Sequence, residues 1–233
     1  MAFATFWPGA DWHTADTLTA AVALMAVALA LVLRPWRSLP PGGPPWPWLA
    51  WWLLFPLLWG ADRYGQTPLA QPLPGACLLV LMAGWPLAVL ALLPVALVTA
   101  WLASLPAAEA LQRLLWLGLG PATAALLLGA AMRRWLPRHL FVYILGRGFI
   151  ATLLANTLAG AAQAWLQPTP PGLALPDLLL ARWLVAWGDA ILAGMIVAIF
   201  VAFRPGWLAT YADRLYLPRD GPVPPRPPGE SRP

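Results

Sequence analysis

Ala181–Phe203 reads ARWLVAWGDAILAGMIVAIFVAF, and only Arg182 and Asp189 in it carry charge. A helix crosses a bilayer with roughly 17–25 predominantly apolar residues, so this stretch predicts a spanning helix with a carboxylate inside it. Working outward, similar apolar runs recur at Thr17–Leu33, Trp46–Gly60, Pro72–Ala83, Trp85–Leu105, Leu111–Met132 and Leu140–Leu166. Polar or Pro-rich punctuation separates them. The second run carries Trp46, Trp48, Trp51, Trp52 and Trp59, residues that concentrate at the membrane–water interface. The first is followed, not preceded, by arginines, which is the wrong polarity for a cleaved signal. The expected fold class is an all-α, polytopic transmembrane helix bundle of about seven helices.

Composition agrees. The chain has 233 residues, is 61% hydrophobic and only 10% charged, against about 25% charged in an ordinary soluble domain. A soluble globule of this size has nowhere to hide that surface. Disorder of the body of the chain is excluded for the same reason. All fourteen basic residues are arginine, and the net charge is +5. The arginines sit mostly between apolar runs, which points to orientation in a bilayer and contact with anionic lipid. No basic stripe with interleaved aromatics suggests nucleic acid. The lone Cys77 lies in an apolar run and has no disulfide partner in the chain.

With the N-terminus outside, ten arginines fall in the cytoplasm: Arg34, Arg37, Arg133, Arg134, Arg138, Arg204, Arg214, Arg219, Arg226 and Arg232. Arg63, Arg113 and Arg182 remain outside, and Arg147 lies within a span. This positive-inside asymmetry predicts an odd number of spans and a cytoplasmic C-terminus. Residues 1–16 are then a periplasmic segment and 17–217 the membrane domain. Residues 218–233, with seven prolines in sixteen positions, are a disordered cytoplasmic tail. The expected location is a bacterial inner membrane.

Polar groups inside a membrane are costly and mark function. Thr152, Asn156 and Gln163 share one face of the sixth run beside Gly160, as helix-contact glue or a pathway lining. Asp189 is placed roughly 12 Å from the outer end of the seventh run. Ala186, Ala190, Gly194, Ala198 and Ala202 recur every four residues beside it and predict close helix packing. Arg147, about 10 Å deep in the sixth run, is either a snorkelling cation or a partner for Asp189. Several chemistries are unsupported. No phosphate loop is possible without lysine. His13 and His139 belong to opposite sides, and neither Ser38 nor Ser104 lies in a nucleophile elbow. Asp189 has no second deep carboxylate for acid–base work, so no enzyme activity is expected.

Leu136-Pro137-Arg138-His139-Leu140-Phe141-Val142-Tyr143-Ile144 resembles a stretch in bacterial energy-coupling-factor ABC transporter permeases, related to the cobalt/nickel CbiM-type membrane component. The ending is similar too: Asp189, then Gly194-Met195-Ile196-Val197, then Arg204 through Leu217. Gly75–Leu90, with Gly84-Trp85-Pro86, looks like the family's Gly-rich third helix. The resemblance implies a substrate-capture subunit. A transmembrane coupling subunit and two cytoplasmic ATPases would be its partners, and a transition-metal ion its cargo. No resident cofactor is implied. The chain departs from the family at Ala2 and Pro72, where the metal-binding relatives have histidine, and at Asp189, where Glu is frequent. His13 with Asp11 is the substitute metal pair the sequence offers. The alternative function is a non-transporting membrane scaffold or assembly factor with a degenerate metal site.

Overall fold

A computed structural model describes residues 14–38, 46–64, 71–137, 139–168 and 173–211, all helical or irregular, with no strand among them. The helices are α1 (Thr14–Val32), α2 (Trp46–Trp59), α3 (Ala61–Tyr64), α4 (Ala76–Ala83), α5 (Trp85–Leu102), α6 (Ala107–Arg113), α7 (Gly120–Trp135), α8 (Ala151–Leu166) and α9 (Leu175–Phe203). A π-helical stretch, Leu114–Leu119, joins α6 to α7, and another, Val142–Ile150, leads into α8. Pro121 explains the first: it has no N–H, and its ring crowds the carbonyl four residues back, so the preceding turn widens.

Four helices are long and apolar enough to cross a membrane: Trp85–Leu102, Ala107–Trp135, Val142–Leu166 and Leu175–Phe203. Asp16–Val32 and Ala50–Trp59 are shorter apolar helices. Leu53, Trp135, Trp165 and Phe203 are each 78% exposed, the outward apolar surface expected of a bundle solvated by lipid. Inside, one apolar cluster surrounds Phe55, Trp59, Val89 and Leu92. Another, at the opposite end, surrounds Met82, Tyr143, Val197 and Leu208.

Two expectations about the elements need correction. The Pro72–Ala83 run is helical only from Ala76; residues 71–75 form no helix or strand. The glycines and prolines explain the break. Pro72 and Pro74 donate no backbone N–H, so an irregular chain there has fewer groups to satisfy. Gly75 adopts φ +66°, and a Cβ there would lie 2.6 Å from the Phe55 ring. Gly84, at φ +81°, then separates α4 from α5. The seventh run starts at Leu175, six residues before the expected Ala181, so Arg182 lies two turns inside the 29-residue α9 and not at its first turn. Asp189 is therefore fourteen residues from each end of α9. That is about 21 Å deep, nearly twice the expected depth.

The small-residue stripe on α9 also turns away from its expected face. Ala186 and Ala190 are buried, but the buried face continues through Ala193 and Val197. Ala198 is half-buried and Ala202 exposed. A four-residue repeat overshoots one helical turn by about 40°, so it cannot hold one face for four steps. Gly194 does serve packing: a Cβ there would lie 3.3 Å from Phe149 Cβ, and one on Gly148 3.3 Å from Val197.

Candidate functional site

The site is a polar cavity of about 630 Å³. Its walls come from the starts of α1, α7 and α9, from α3, α6 and the second half of α8, and from the irregular chain before α4. At its mouth are Asp16, Asp62, Arg63, Glu109, Gln112 and Gln167; deeper lie Pro121, Asn156, Gly160, Ala186 and Arg182. Gln71, Pro72 and Pro74 also line it. Irregular backbone at membrane depth is tolerated where it borders such a cavity. The buried carbonyl of Pro74, outside any helix, accepts from Trp59 Nε1 at 2.9 Å.

A charged network frames the mouth. Arg113 donates to both oxygens of Asp62 at 2.7 and 2.6 Å, to Glu109 at 2.8 Å, and to the Trp59 carbonyl. Arg63 pairs with the other Glu109 oxygen at 2.5 Å. Gln112 donates to Asp16 and Thr19, both at 3.1 Å, and accepts from Gln167 at 2.8 Å. Gln163 in turn donates to Gln167 at 2.7 Å. The network thus ties α1, α2, α6 and α8 together at one end. Arg113 and Glu109 sit one turn apart on α6, so a single helix face presents both.

At the cavity floor, Asn156 Nδ2 donates to Asp189 Oδ2 at 2.6 Å. The backbone N–H of Gly75 also hydrogen-bonds the Asp189 carboxylate. Asp189 is only 3% exposed, and no cation among the described residues is paired with it. Cys77 Sγ approaches Asn156 Oδ1 at 3.8 Å and the Pro121 carbonyl at 3.6 Å. Thr152 is turned back on its own helix, donating to the Gly148 carbonyl at 2.8 Å. The Gly75 N–H at the start of α4 therefore faces a carboxylate, a favourable arrangement for negative charge. It does so at the mid-depth of α9.

The far end of α4 is closed by the chain that follows α9. Ala209 N–H donates to Met82 O at 2.9 Å. Thr210 donates to Leu81 O through its N–H at 3.3 Å and its hydroxyl at 2.9 Å. Tyr143 Oη and Thr210 Oγ1 are 2.8 Å apart. Arg147 lies here, not beside Asp189. It donates to Thr210 O at 3.4 Å, stands over the Tyr143 ring at 5.5 Å, and packs against Gly129. The expected Arg147–Asp189 pair is not formed. Asp189 is level with Asn156, nine residues from Arg147 along one helix, and about 13 Å exceeds what an arginine side chain spans.

Of the residues singled out in the sequence, Asn156 and Gln163 line the cavity, and Asp189 lies directly behind Asn156. Thr152 and Arg147 lie outside it. Asp11 and His13 fall outside the described residues. Sequence reasoning missed Asp62, Glu109, Arg113, Gln112 and Arg182, although charges are scarce enough in this chain to have been suspected individually. Among the described residues no three His, Cys, Asp or Glu side chains group to hold a metal ion.

The fold and cavity define a helical protein with helices long enough to cross a membrane and a polar cavity reaching into the bundle. Compared with known proteins, the chain matches no family model, no curated protein and no solved structure.

Proposed function

We propose that this protein is a multi-pass permease component of a bacterial inner membrane that captures a small polar solute from the outer side. The observation that carries this is the cavity itself. It opens among Asp16, Asp62 and Glu109 and ends on Asn156, backed by Asp189 halfway along α9. A discontinuous transmembrane segment whose half-helix begins at mid-depth is the arrangement by which many transporters build a solute site. Here α4 begins beside Asp189 and is covered at its other end by Leu208–Tyr211. A solute admitted from the mouth therefore meets polar groups at the floor and a closed bundle beyond.

In this proposal the chain crosses seven times, with residues 71–83 as a passage that is irregular up to Gly75 and helical over Ala76–Ala83. The resemblance of the closing motif extends the proposal to an energy-coupling-factor assembly, in which a coupling subunit and ATPases supply the work. A transition-metal cargo is the weaker part of it. Late-transition-metal affinity is best served by imidazole or thiolate ligands. The cavity walls offer amides, carboxylates and arginines instead.

Labelling tests the proposal. In a Cys77→Ala chain, Gln163→Cys is expected to react with a membrane-impermeant maleimide added to intact spheroplasts. Failure to react, while an Asp16→Cys control does, would overturn capture from outside. Affinity purification from the native membrane is expected to recover ATPase subunits. Recovery of an unrelated complex would favour the scaffold alternative.

A further inference from the structure

We propose that the solute taken by this cavity carries a carboxylate, seated on Arg182; the inference rests on the cavity being a capture site. Three arginines line the cavity: Arg63, Arg113 and Arg182. Two are already neutralised. Arg113 is held by Asp62 and Glu109, and Arg63 by Glu109. Asp16, the remaining carboxylate at the mouth, accepts from Gln112. Arg182 has no carboxylate partner among the described residues. Among the described residues its one hydrogen bond runs from Nη1 to the Gly160 carbonyl at 2.7 Å.

A guanidinium offers five N–H donors, arranged to grip a carboxylate with two at once. Arg182 uses one of them within the protein. Gly160 permits the placement: even an added Cβ would lie 3.4 Å from Arg182 Cβ, so the side chain passes close over α8 at this point. The guanidinium therefore stands one helical turn from Asn156, with Gln163 three residues to its other side.

The floor adds a second constraint. Asn156 commits Nδ2 to Asp189, while Oδ1 meets only the weak thiol contact of Cys77. Oδ1 is thus an acceptor for a donor on the solute, about 5–6 Å deeper than the Arg182 fork. The expected solute is small and amphoteric, with a carboxylate toward the mouth and a hydrogen-bond donor toward the floor. The cavity volume of about 630 Å³ lies within the usual range for small-molecule sites.

The test uses the full chain in lipid nanodiscs with γ-aminobutyrate, acetate, ethylammonium and chloride as probes at equal ionic strength. Modification of Arg182 by phenylglyoxal is read by peptide mass spectrometry. γ-Aminobutyrate is expected to slow it saturably by ten-fold or more, acetate less, and ethylammonium and chloride hardly at all. γ-Aminobutyrate is also expected to raise the melting temperature of the parent chain and of an Arg63→Gln chain, but not of Arg182→Gln. Arg182→Lys keeps the charge without the fork and is expected to bind at least ten-fold more weakly. Equal protection by chloride, or a melting shift that survives Arg182→Gln, overturns the proposal. If neither carboxylate protects while Gln163→Cys is still labelled from outside, the carboxylate assignment fails and solute capture stands. If Gln163→Cys is not labelled, capture itself fails.

Discussion

Arg113 and Asp189 are both buried charges in an apolar bundle, and their surroundings satisfy them differently. Arg113 has two carboxylates and a backbone carbonyl, so its charge is neutralised where it lies. Arg113→Gln strands Asp62 at the cavity mouth and leaves Glu109 with Arg63 alone. Breaking a buried pair from one side typically costs about 3–5 kcal/mol. With Asp62 partly exposed, the expected loss is at the lower end of that range, measured as a fall in the detergent-solubilised melting temperature. Asp189 has two neutral donors instead, Asn156 and the Gly75 N–H. Asp189→Asn keeps an acceptor for both, so the melting temperature is expected to stay within a few degrees. Asp189→Leu removes the acceptor and leaves two buried donors unpaired, at about 1–3 kcal/mol each. A larger loss for Asn than for Leu would contradict this account of the site. At this scale the sequence was partly legible. A carboxylate within an apolar run announces itself, and Asn156 and Gln163 follow from helical spacing. Its partner was not foreseeable, because the expected Arg147 and the actual Gly75 differ only in how α4 enters the bundle. A backbone N–H leaves no mark in sequence.

Among the elements, α4 is the least regular and the most informative. All eight of its residues are buried, yet it begins beside a carboxylate in the middle of the bundle. Gly75 makes this possible on two counts. Its φ of +66° costs an L-residue roughly 1–2 kcal/mol, and a Cβ would press within 2.6 Å of Phe55. Gly75→Ala is therefore expected to lower stability by more than the backbone cost alone. It should also tilt the Gly75 N–H away from Asp189. Pairing it with Phe55→Leu, which relieves the contact but not the dihedral, is expected to recover only part of the loss. Full recovery would show that the left-handed backbone carries no cost. Hydropathy identified the long helices because side-chain polarity reports lipid contact. It misjudged residues 71–75 because apolar and proline residues line a cavity as readily as they continue a helix. The start of α9 was misjudged for a related reason. Pro176 and Asp177 read as Pro-rich punctuation, whereas a proline and an acidic residue also suit the first turn of a helix.

At the scale of the whole molecule the charges are segregated along the bundle. Every described carboxylate except Asp189 lies at the end where the cavity opens: Asp16, Asp62 and Glu109 line it, and Asp177 begins α9. Arg34, Arg133, Arg134 and Arg204 lie at the opposite end, beyond the last turns of α1, α7 and α9 or within them. Positive-inside bias acts on arginines flanking spans, whatever the carboxylates do. Three arginines do stand at the cavity end, but two of them are tied to Asp62 and Glu109. Apart from Arg182, the basic charge without a carboxylate partner among the described residues is at the end away from the cavity, which supports the proposal that the mouth faces outside. Tyr64 and Leu136 sample the two ends and are both exposed. In a Cys77→Ala chain, Tyr64→Cys is expected to react with impermeant maleimide on intact spheroplasts, and Leu136→Cys only after permeabilisation. The reverse pattern would turn the cavity toward the cytoplasm and make any solute movement an export. Labelling of both from one side would mean that the chain between them does not cross the membrane an odd number of times. In that case the segment to redraw is residues 71–83, since the other two passages between Tyr64 and Leu136 are helices long enough to cross a membrane and this one is helical only over Ala76–Ala83.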